Sequence, residues 1–350
     1  MNIAVDISPL KSGHRYRGIG KYTQKLVDNL QKVDCQNRFF LISDKDRRLI
    51  SQADLIHYPF FDLFFLTLPV VKRVKTVVTI HDLIPLVFPV QYPPGIRGKI
   101  KFGLQKLSLK NTKAVITDSY SSKRDILRFL KIPANKIFIV YLAPDEDFRP
   151  LGNKAVLAAI REKYRLPPSF VLYVGDVNYN KNVLGLIKAC LEIKMPVVII
   201  GKQAVQSDFN PDHPENQPLA LLIKVYGDNK GVIRLGFVPT KDLVAIYNLA
   251  SVYCQPSFYE GFGLPLLEAM RCGCPVVSSN RSSLPEVCGK AAVLVNPKPD
   301  GLARGLKLVL NDLALRKKLV EKGFRQASNF SWIKTARKTI EIYEKVYQQR

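Results

Sequence analysis

The sequence predicts an α/β protein built from two doubly wound parallel sheets. At 350 residues the chain exceeds what one hydrophobic core tends to hold, so two domains are expected. Short β-branched or aromatic runs alternate with helical periodicities almost from end to end. The alternation pauses once, in a polar, turn-rich stretch at 144–150, and then starts again.

Taken in order, 3–7 reads as a buried strand and 22–30 as a helix with apolar residues at helical spacing. The runs 39–42, 55–57, 75–80, Ala114–Thr117 and 137–140 are strand-like. A helix is expected over 119–130, opened by a serine cluster able to cap it. Beyond the presumed linker, 170–174 reads as a strand, 184–192 as a helix and Val197–Ile200 as a strand. Strands at 231–235, Val252–Gln255, 275–278 and 292–295 follow, separated by helices. The stretch 202–218, with three prolines and many polar residues, reads as a flexible surface loop. The expected division is 1–150 and 151–329, with 330–350 a helix crossing back to the first domain. In sheets of this kind ligands sit at the carboxyl ends of the strands, here in a cleft between the domains.

Composition narrows the class further. With 47% hydrophobic and 23% charged residues the chain is neither disordered nor fibrous. Its best apolar run, 60–71, is interrupted by Asp62 and Pro69 and falls short of the roughly 20 residues of a membrane span. The opening MNIAVDISPL carries Asp6 and no basic leader, so no signal peptide is expected. Six cysteines in a chain of this length do not make a disulfide scaffold, and a cytoplasmic location follows as the expectation. The charge is strongly biased: 53 Lys and Arg against 29 Asp and Glu, a net of +24. Residues 91–136 alone hold eleven basic and two acidic side chains, a net of +9. Such a bias points to an anionic partner: nucleic acid, an anionic membrane or phosphorylated substrates. Along 96–110, Ile96, Ile100, Leu104 and Leu107 fall on one helical stripe, interleaved with Arg97, Lys99, Lys101, Lys106 and Lys110. Two readings are open: an interfacial helix lying on anionic headgroups, or a core-packed helix with a basic outer face. No nucleic-acid-binding module accompanies the charge, so nucleic acid is not expected.

The strongest chemical signal is the string Tyr259-Glu260-Gly261-Phe262-Gly263-Leu264-Pro265-Leu266-Leu267-Glu268-Ala269-Met270, which follows a strand and opens a helix near Pro265. Its glycines let backbone approach a ligand, and the first helical turn with its dipole forms an anion site. Glu268, about one turn in, can accept hydrogen bonds from a diol such as a ribose, and Glu260 lies in the loop before it. His57 follows a strand and reads either as a cleft residue or as a structural histidine. Cys272 and Cys274 have no partner pair at zinc spacing and read as buried thiols. His14 and His213 lie in polar loops and suggest no role.

Two glutamates separated by seven residues within this string, followed by Cys272-Gly273-Cys274-Pro275-Val276-Val277, resemble glycosyltransferase family 4, the retaining nucleotide-sugar-dependent enzymes of the GT-B fold. The resemblance spans nearly the whole chain. Arg17-Gly18-Ile19-Gly20-Lys21-Tyr22-Thr23 is similar to the family's glycine loop, and Thr79-Ile80-His81-Asp82-Leu83-Ile84-Pro85 to its His-Asp segment. Ile116-Thr117-Asp118-Ser119 and 142–150 match less sharply. Tyr173-Val174-Gly175 with Lys181-Asn182 resembles the diphosphate loop, and Phe330-Ser331-Trp332 the start of the last helix. The resemblance implies an N-terminal acceptor domain and a C-terminal donor domain. It implies that Glu268 holds ribose hydroxyls, that Glu260 contacts the transferred sugar, and that Lys181 neutralises the diphosphate. Backbone N–H groups at Gly263 and Leu264 would bind donor oxygens. Gly18 and Gly20 would let a loop close on phosphate or acceptor, and His81 would steady charge near the anomeric carbon.

One departure stands out. Where the family often carries a second basic residue in the diphosphate loop, this chain has Asp176 and Asn180. Lys202, Arg15 or Arg17 are the candidates to compensate. Asp145-Glu146-Asp147 imitates the metal motif of another glycosyltransferase fold but lies in the presumed hinge, so no metal is expected. The reading is thus a glycosyltransferase that needs no cofactor, moving a hexose, on resemblance mannose, from a nucleotide diphosphate sugar to a glycan or lipid-linked acceptor. Its setting would be cell-envelope polysaccharide synthesis, in the cytoplasm or peripherally on the inner face of the membrane. The rivals are a nucleotide-sugar epimerase, a phosphorylase (for which no pyridoxal-phosphate lysine context is found) and a catalytically silent polyanion-binding protein.

Overall fold

The computed structural model describes residues 1–11, 13, 18–43, 46 and 50–349. His14, Arg15 and Arg17 lie outside the described residues. The chain divides into two compact units: unit 1 holds Met1–Pro89, Pro93–Leu142 and Phe330–Arg350, and unit 2 holds Val90–Tyr92 and Ala143–Asn329.

Unit 1 is a six-stranded sheet of β1 (Asn2–Asp6), β2 (Arg38–Ile42), β3 (Leu55–Tyr58), β4 (Lys75–Thr79), β5 (Ala114–Thr117) and β6 (Ile137–Ile139), in the order β2-β1-β3-β4-β5-β6. Every neighbouring pair is parallel. Ile3, Ala4, Val5, Val77, Val78 and Ala114 are fully buried, which is why these strands read as continuous apolar runs rather than alternating ones. The chain leaves β1 for β2 on one side and returns for β3 on the other, so the order reverses between β1 and β3.

The helix α1 (Gly18–Val33) buries Tyr22, Leu26 and Leu30 at four-residue spacing and packs on the last helix, Trp332–Gln348. That last helix is capped by Ser331, whose Oγ accepts from Lys334 N at 3.2 Å. It is tied into unit 1 by Thr335 Oγ1, which donates to Tyr141 O at 2.7 Å. Between α1, the sheet and the last helix runs a buried polar thread. His57 Nδ1 lies 2.6 Å from Tyr343 OH and its Nε2 lies 2.8 Å from Thr79 Oγ1, which in turn meets Tyr22 OH at 3.1 Å. His57 is therefore structural, and burial, with a minor contribution from His81, pushes its pKa down to about 3. Ser119 caps the helix Tyr120–Asp125, accepting from Ser122 N, and the chain then continues as a π-helical turn, Ile126–Leu130.

The basic segment forms α2 (Gly95–Ser108). On its packed face Gly98, Gln105 and Ser108 are buried and Phe102 packs against the core of unit 1. Ile96, Ile100, Leu104 and Leu107 are instead exposed, at 81%, 62%, 41% and 44%. The core-packed reading of this stripe is therefore wrong: the helix turns its apolar side outward, the reverse of an ordinary surface helix. Both acidic residues of 91–136, Asp118 and Asp125, are buried, so the outer surface of this segment carries only positive charge.

Unit 2 is a second parallel sheet of β7 (Val171–Val174), β8 (Val197–Ile200), β9 (Val232–Leu235), β10 (Val252–Gln255), β11 (Val276–Ser279) and β12 (Val293–Val295), ordered β12-β11-β10-β7-β8-β9. Its order reverses between β7 and β10. Ile187, Val197, Ile199, Val252, Val277 and Leu306 belong to its core. Cys190, Cys254, Cys272, Cys274 and Cys288 are buried thiols. The expected loop over 202–218 is overturned. It holds two 3-10 turns, Lys202–Val205 and Pro214–Asn216, and the helix Gln217–Tyr226 begins inside it. Pro218 falls in the first turn, where a missing N–H costs nothing, and Leu219 and Leu222 supply the buried face. The stretch 144–150 is packed within unit 2, with Phe148 1% exposed and its ring 5.8 Å from that of Tyr247. Among the described residues no helix is long and apolar enough to cross a membrane.

The buried His57 gives a pH prediction for unit 1. Its folded pKa near 3 lies below the ordinary value of 6.5, so the unfolded chain binds the extra proton between them. Stability from this group is full above pH 6.5 and declines as pH falls toward 3. Urea unfolding followed by the fluorescence of Trp332, the only tryptophan, should show wild type losing about 2 kcal/mol more than His57→Gln between pH 6.5 and 5. Equal losses would contradict a buried neutral histidine.

Candidate active site

Parallel doubly wound sheets bind ligands outside the carboxyl ends of their strands, at the point where strand order reverses. In unit 2 that point is the pair β7 and β10, and the two strands deliver the residues singled out in the sequence. The chain after β7 runs through Gly175 and Asp176 to a 3-10 turn, Tyr179–Lys181, which ends on Asn182 in the left-handed conformation at φ 53°. The chain after β10 carries Ser257 and Glu260. The two meet in an ion pair: Lys181 Nζ donates to Glu260 Oε1 at 2.9 Å and to Oε2 at 2.8 Å. Glu260 Oε1 also accepts from Gln255 Nε2 at 2.8 Å and from Ser257 Oγ at 2.7 Å. The backbone is pinned as well, with Glu260 N donating to Ser282 Oγ at 2.8 Å and Ser283 Oγ donating to the carbonyls of Glu260 and Phe262.

The helix α3 (Leu264–Arg271) begins immediately beyond. Gly263 is its N-cap at φ 100°, and a Cβ there would meet Leu284 Cδ2 at 2.7 Å, so the turn requires glycine. Leu264 is the first helical residue and Pro265 the second. Glu268 lies one turn in, 7% exposed, and its Oε2 accepts from Tyr247 OH at 3.1 Å. Both glutamates are thus buried acceptors on loops and helix ends of one sheet edge.

Asn180 is 3% exposed and takes a supporting position. Its Oδ1 accepts from Tyr92 OH at 2.6 Å, its Nδ2 donates to Tyr259 O at 3.0 Å, and its carbonyl accepts from Phe258 N at 2.7 Å. A lysine or arginine at this inward-facing position would bury an extra charge. At Asp176 the ordered contact is through the backbone, where its carbonyl accepts from Tyr173 OH at 2.7 Å.

In unit 1, where the order reverses between β1 and β3, the singled-out residues lie instead at the ends of β4 and β5. His81 follows β4 and Asp118 follows β5, and the parallel register brings His81 Nδ1 to 2.7 Å from Asp118 Oδ2. His81 Nε2 lies 3.2 Å from Pro59 O, beyond β3. Both partners are acceptors, so the arrangement suits an imidazolium that donates through both nitrogens. Burial alone would lower the His81 pKa, but the Asp118 charge and hydrogen bond, helped by Asp82, hold it above its ordinary value. The Tyr22 ring meets that of His81 edge-on at 4.6 Å. Gly18 and Gly20 lie in the first turn of α1 rather than in a loop, Gly18 exposed and Gly20 buried. Arg97, Lys99, Lys106 and Lys110 are exposed, and Lys101 Nζ lies 4.9 Å from the Phe65 ring centroid.

Sequence reasoning passed over Gln255, Ser257 and Tyr247 as site-building residues, and took Asn180 only as a missing basic residue. The available signal was polarity at the end of a buried strand for Gln255 and a hydroxyl inside an apolar helix for Tyr247. Among the described residues no group of three His, Cys, Asp or Glu side chains is arranged to hold a metal ion.

Two doubly wound parallel sheets, with Lys181, Glu260 and Glu268 gathered near the switch point of the second, are the architecture of a nucleotide-sugar-dependent glycosyltransferase. The comparisons agree. Residues 16–148 match the model of Glycosyltransferase Family 4, and residues 158–326 that of Glycosyl transferases group 1. The chain is 34% identical over 281 residues to O-antigen chain mannosyltransferase B of Escherichia coli, covering 77% of this chain and 70% of that protein. It is 32% identical over 287 residues to the serotype-specific mannosyltransferase WbdA of Escherichia coli, a match that spans 78% of this chain but only 34% of that longer protein. Sucrose-phosphate synthase from Thermosynechococcus elongatus superposes with a TM-score of 0.73 at 20% identity, covering 99% of both chains. Anabaena HepE in complex with UDP-glucose superposes with a TM-score of 0.73 at 16% identity, covering 99% of this chain and 100% of that one. The chain belongs to glycosyltransferase family 4 and is a GT-B hexosyltransferase.

The His81–Asp118 pair is directly testable. In wild type, His81 should titrate above its ordinary value near 6.5. In Asp118→Asn, with burial then dominant, it should titrate below that value in an NMR pH series assigned with His81→Gln. An unshifted His81 would remove Asp118 as the group that sets its charge.

Proposed function

We propose that this chain transfers a mannosyl residue, with retention of configuration, from a nucleotide diphosphate mannose to a glycan or lipid-linked acceptor in cell-envelope polysaccharide synthesis. The observation that carries the choice of sugar is the likeness to the Escherichia coli mannosyltransferases, which extends over more than three quarters of the chain.

In this reading the donor binds residues 151–329 and the acceptor residues 1–150, with 330–350 completing the latter. Glu268 accepts from the ribose hydroxyls. Lys181 turns from Glu260 toward the diphosphate, which leaves Glu260 free to accept from the hydroxyls of the transferred sugar. N–H groups at Gly263 and Leu264, with the α3 dipole, take the remaining phosphate oxygens. Departure of the nucleotide diphosphate leaves positive charge at the anomeric carbon and negative charge on the leaving group. The latter is met by a cation and a helix terminus, without a metal ion. His81 supports the charge and orientation of the sugar, and Gly18 and Gly20 leave room for phosphate or acceptor at the start of α1.

Incubation with a panel of nucleotide diphosphate hexoses and membrane extract should give transfer from the mannose donor, with the donor's anomeric configuration in the product. Preference for another hexose would overturn the sugar assignment. Glu268→Ala should weaken nucleotide diphosphate binding in calorimetry by about 1.5–3 kcal/mol, the worth of charge-assisted hydrogen bonds to a diol.

Peripheral attachment to an anionic membrane through Arg97, Lys99, Lys101, Lys106 and Lys110 belongs to the same reading. The outward apolar stripe of α2, flanked by cations, is what supports it. Replacing Lys99, Lys101, Lys106 and Lys110 by Gln should lower affinity for anionic vesicles by roughly a hundredfold at low salt, while leaving nucleotide binding intact. Wild type that stays in the supernatant with anionic vesicles at low salt would end this part of the proposal.

A further inference from the structure

Beside α2 the structure holds a cavity of about 540 Å³ that none of the chemistry above uses. It is lined by Ile56 and Tyr58 of β3, by Leu66, Leu68 and Val74 of the chain between β3 and β4, and by Leu104 of α2. Its volume is within the roughly 300–1,000 Å³ of small-molecule sites.

The wall of this cavity is built, not incidental. Asp62 Oδ1 accepts from Phe64 N at 2.7 Å and from Phe65 N at 2.9 Å, which turns the chain and presents Phe65 and Leu66 to the outside. Gln105, fully buried in α2, donates from Nε2 to Asp62 O at 2.7 Å and to Thr67 Oγ1 at 2.9 Å. Lys72 Nζ donates to Pro69 O and, at 2.7 Å, to Ser108 O at the end of α2. The segment 62–72 is thereby stapled to the helix at both ends, and the cavity does not need a ligand to form.

Its surroundings say what would enter it. Phe65, Leu66, Val70 and Val71 are exposed at 63%, 60%, 42% and 76%, beside the exposed stripe of α2. Leu66, Val70, Val71 and Leu104 line the cavity, so the apolar surface runs continuously from the helix into it. The rim carries Lys72 and an exposed Arg73, next to a segment whose outward charge is wholly positive. An apolar hole with a cationic rim, continuous with a surface read as lying on anionic headgroups, complements one kind of molecule.

We propose that this cavity takes a hydrocarbon chain of one anionic phospholipid drawn from the membrane, with its phosphate at Arg73. The proposal rests on the membrane reading above, and goes beyond it by assigning a discrete lipid site. Steeping one chain in protein makes attachment stoichiometric as well as electrostatic, and adds a component that salt does not remove.

The test uses the full chain and dihexanoyl phosphatidylglycerol below its micellar concentration, read by native mass spectrometry. One lipid per chain should bind saturably, and more tightly than dihexanoyl phosphatidylcholine. Val74→Trp, which fills the cavity, should weaken it about tenfold or more, and Arg73→Gln should remove the preference for the anionic headgroup. Should Val74→Trp fail to fold, Leu66→Arg at an exposed lining position serves in its place. No saturable adduct, or an adduct undiminished by the filling variant, overturns the lipid site. In that event wild type still sediments with anionic vesicles if the membrane reading holds, and fails to do so if it does not.

Discussion

A buried carboxylate has to be answered, and in unit 2 the answer organises the site. Glu260 is 6% exposed, and an ionised group there is tolerated only with partners. It draws in Lys181 from the loop after β7, Gln255 from the end of β10 and Ser257 from the turn between, while its backbone is held by Ser282 and Ser283 from the loop after β11. Three strand ends are thus tied to one residue, two through its side chain and one through its backbone. The lock is also electrostatic, because the Lys181 ammonium balances the Glu260 carboxylate.

Unit 1 repeats the principle with a histidine in place of the lysine. Asp118 is buried at the end of β5, and the ring of His81 from the neighbouring strand end meets it. The network behind them, Tyr22, Thr79, His57 and Tyr343, is neutral and buried, and connects α1 and the last helix to the floor of the sheet. A charged pair at the rim over a neutral polar layer keeps the imidazolium at the strand ends rather than inside the core.

The strands were legible because both faces of each sheet are covered, so each strand is written as an unbroken apolar run. The string around Glu260 and Glu268 was legible because glycine, proline and acid fall at offsets that one turn and one helix start require. The pairings were not. Lys181 and Glu260 are 79 residues apart, and His81 and Asp118 are 37 apart, distances that only strand order closes. The division after Leu142 was hidden because 143–150 is polar in composition yet anchored by Phe148, whose burial depends on Tyr247 far along the chain. The helix at Gln217 was hidden because proline was read as a breaker when it stood at a start. For α2, periodicity gave the stripe but not its direction, since a stripe has the same spacing whichever way it faces.

That direction inverts the usual guide to which substitutions a helix accepts. Along α2 Ile96, Ile100 and Leu107 are exposed, so substitutions there remove little buried surface, whereas Phe102 packs on the core. The other intolerant positions are the inconspicuous ones. A Cβ at Gly98 would already approach Pro94 Cβ at 3.0 Å and the Phe64 ring at 3.6 Å, and no isostere of Gln105 lacking its amide can grip Asp62 and Thr67 together. A survey of variants that weighted every hydrophobic position as core would misjudge Ile96, Ile100 and Leu107, taking outward-facing residues for the foundation.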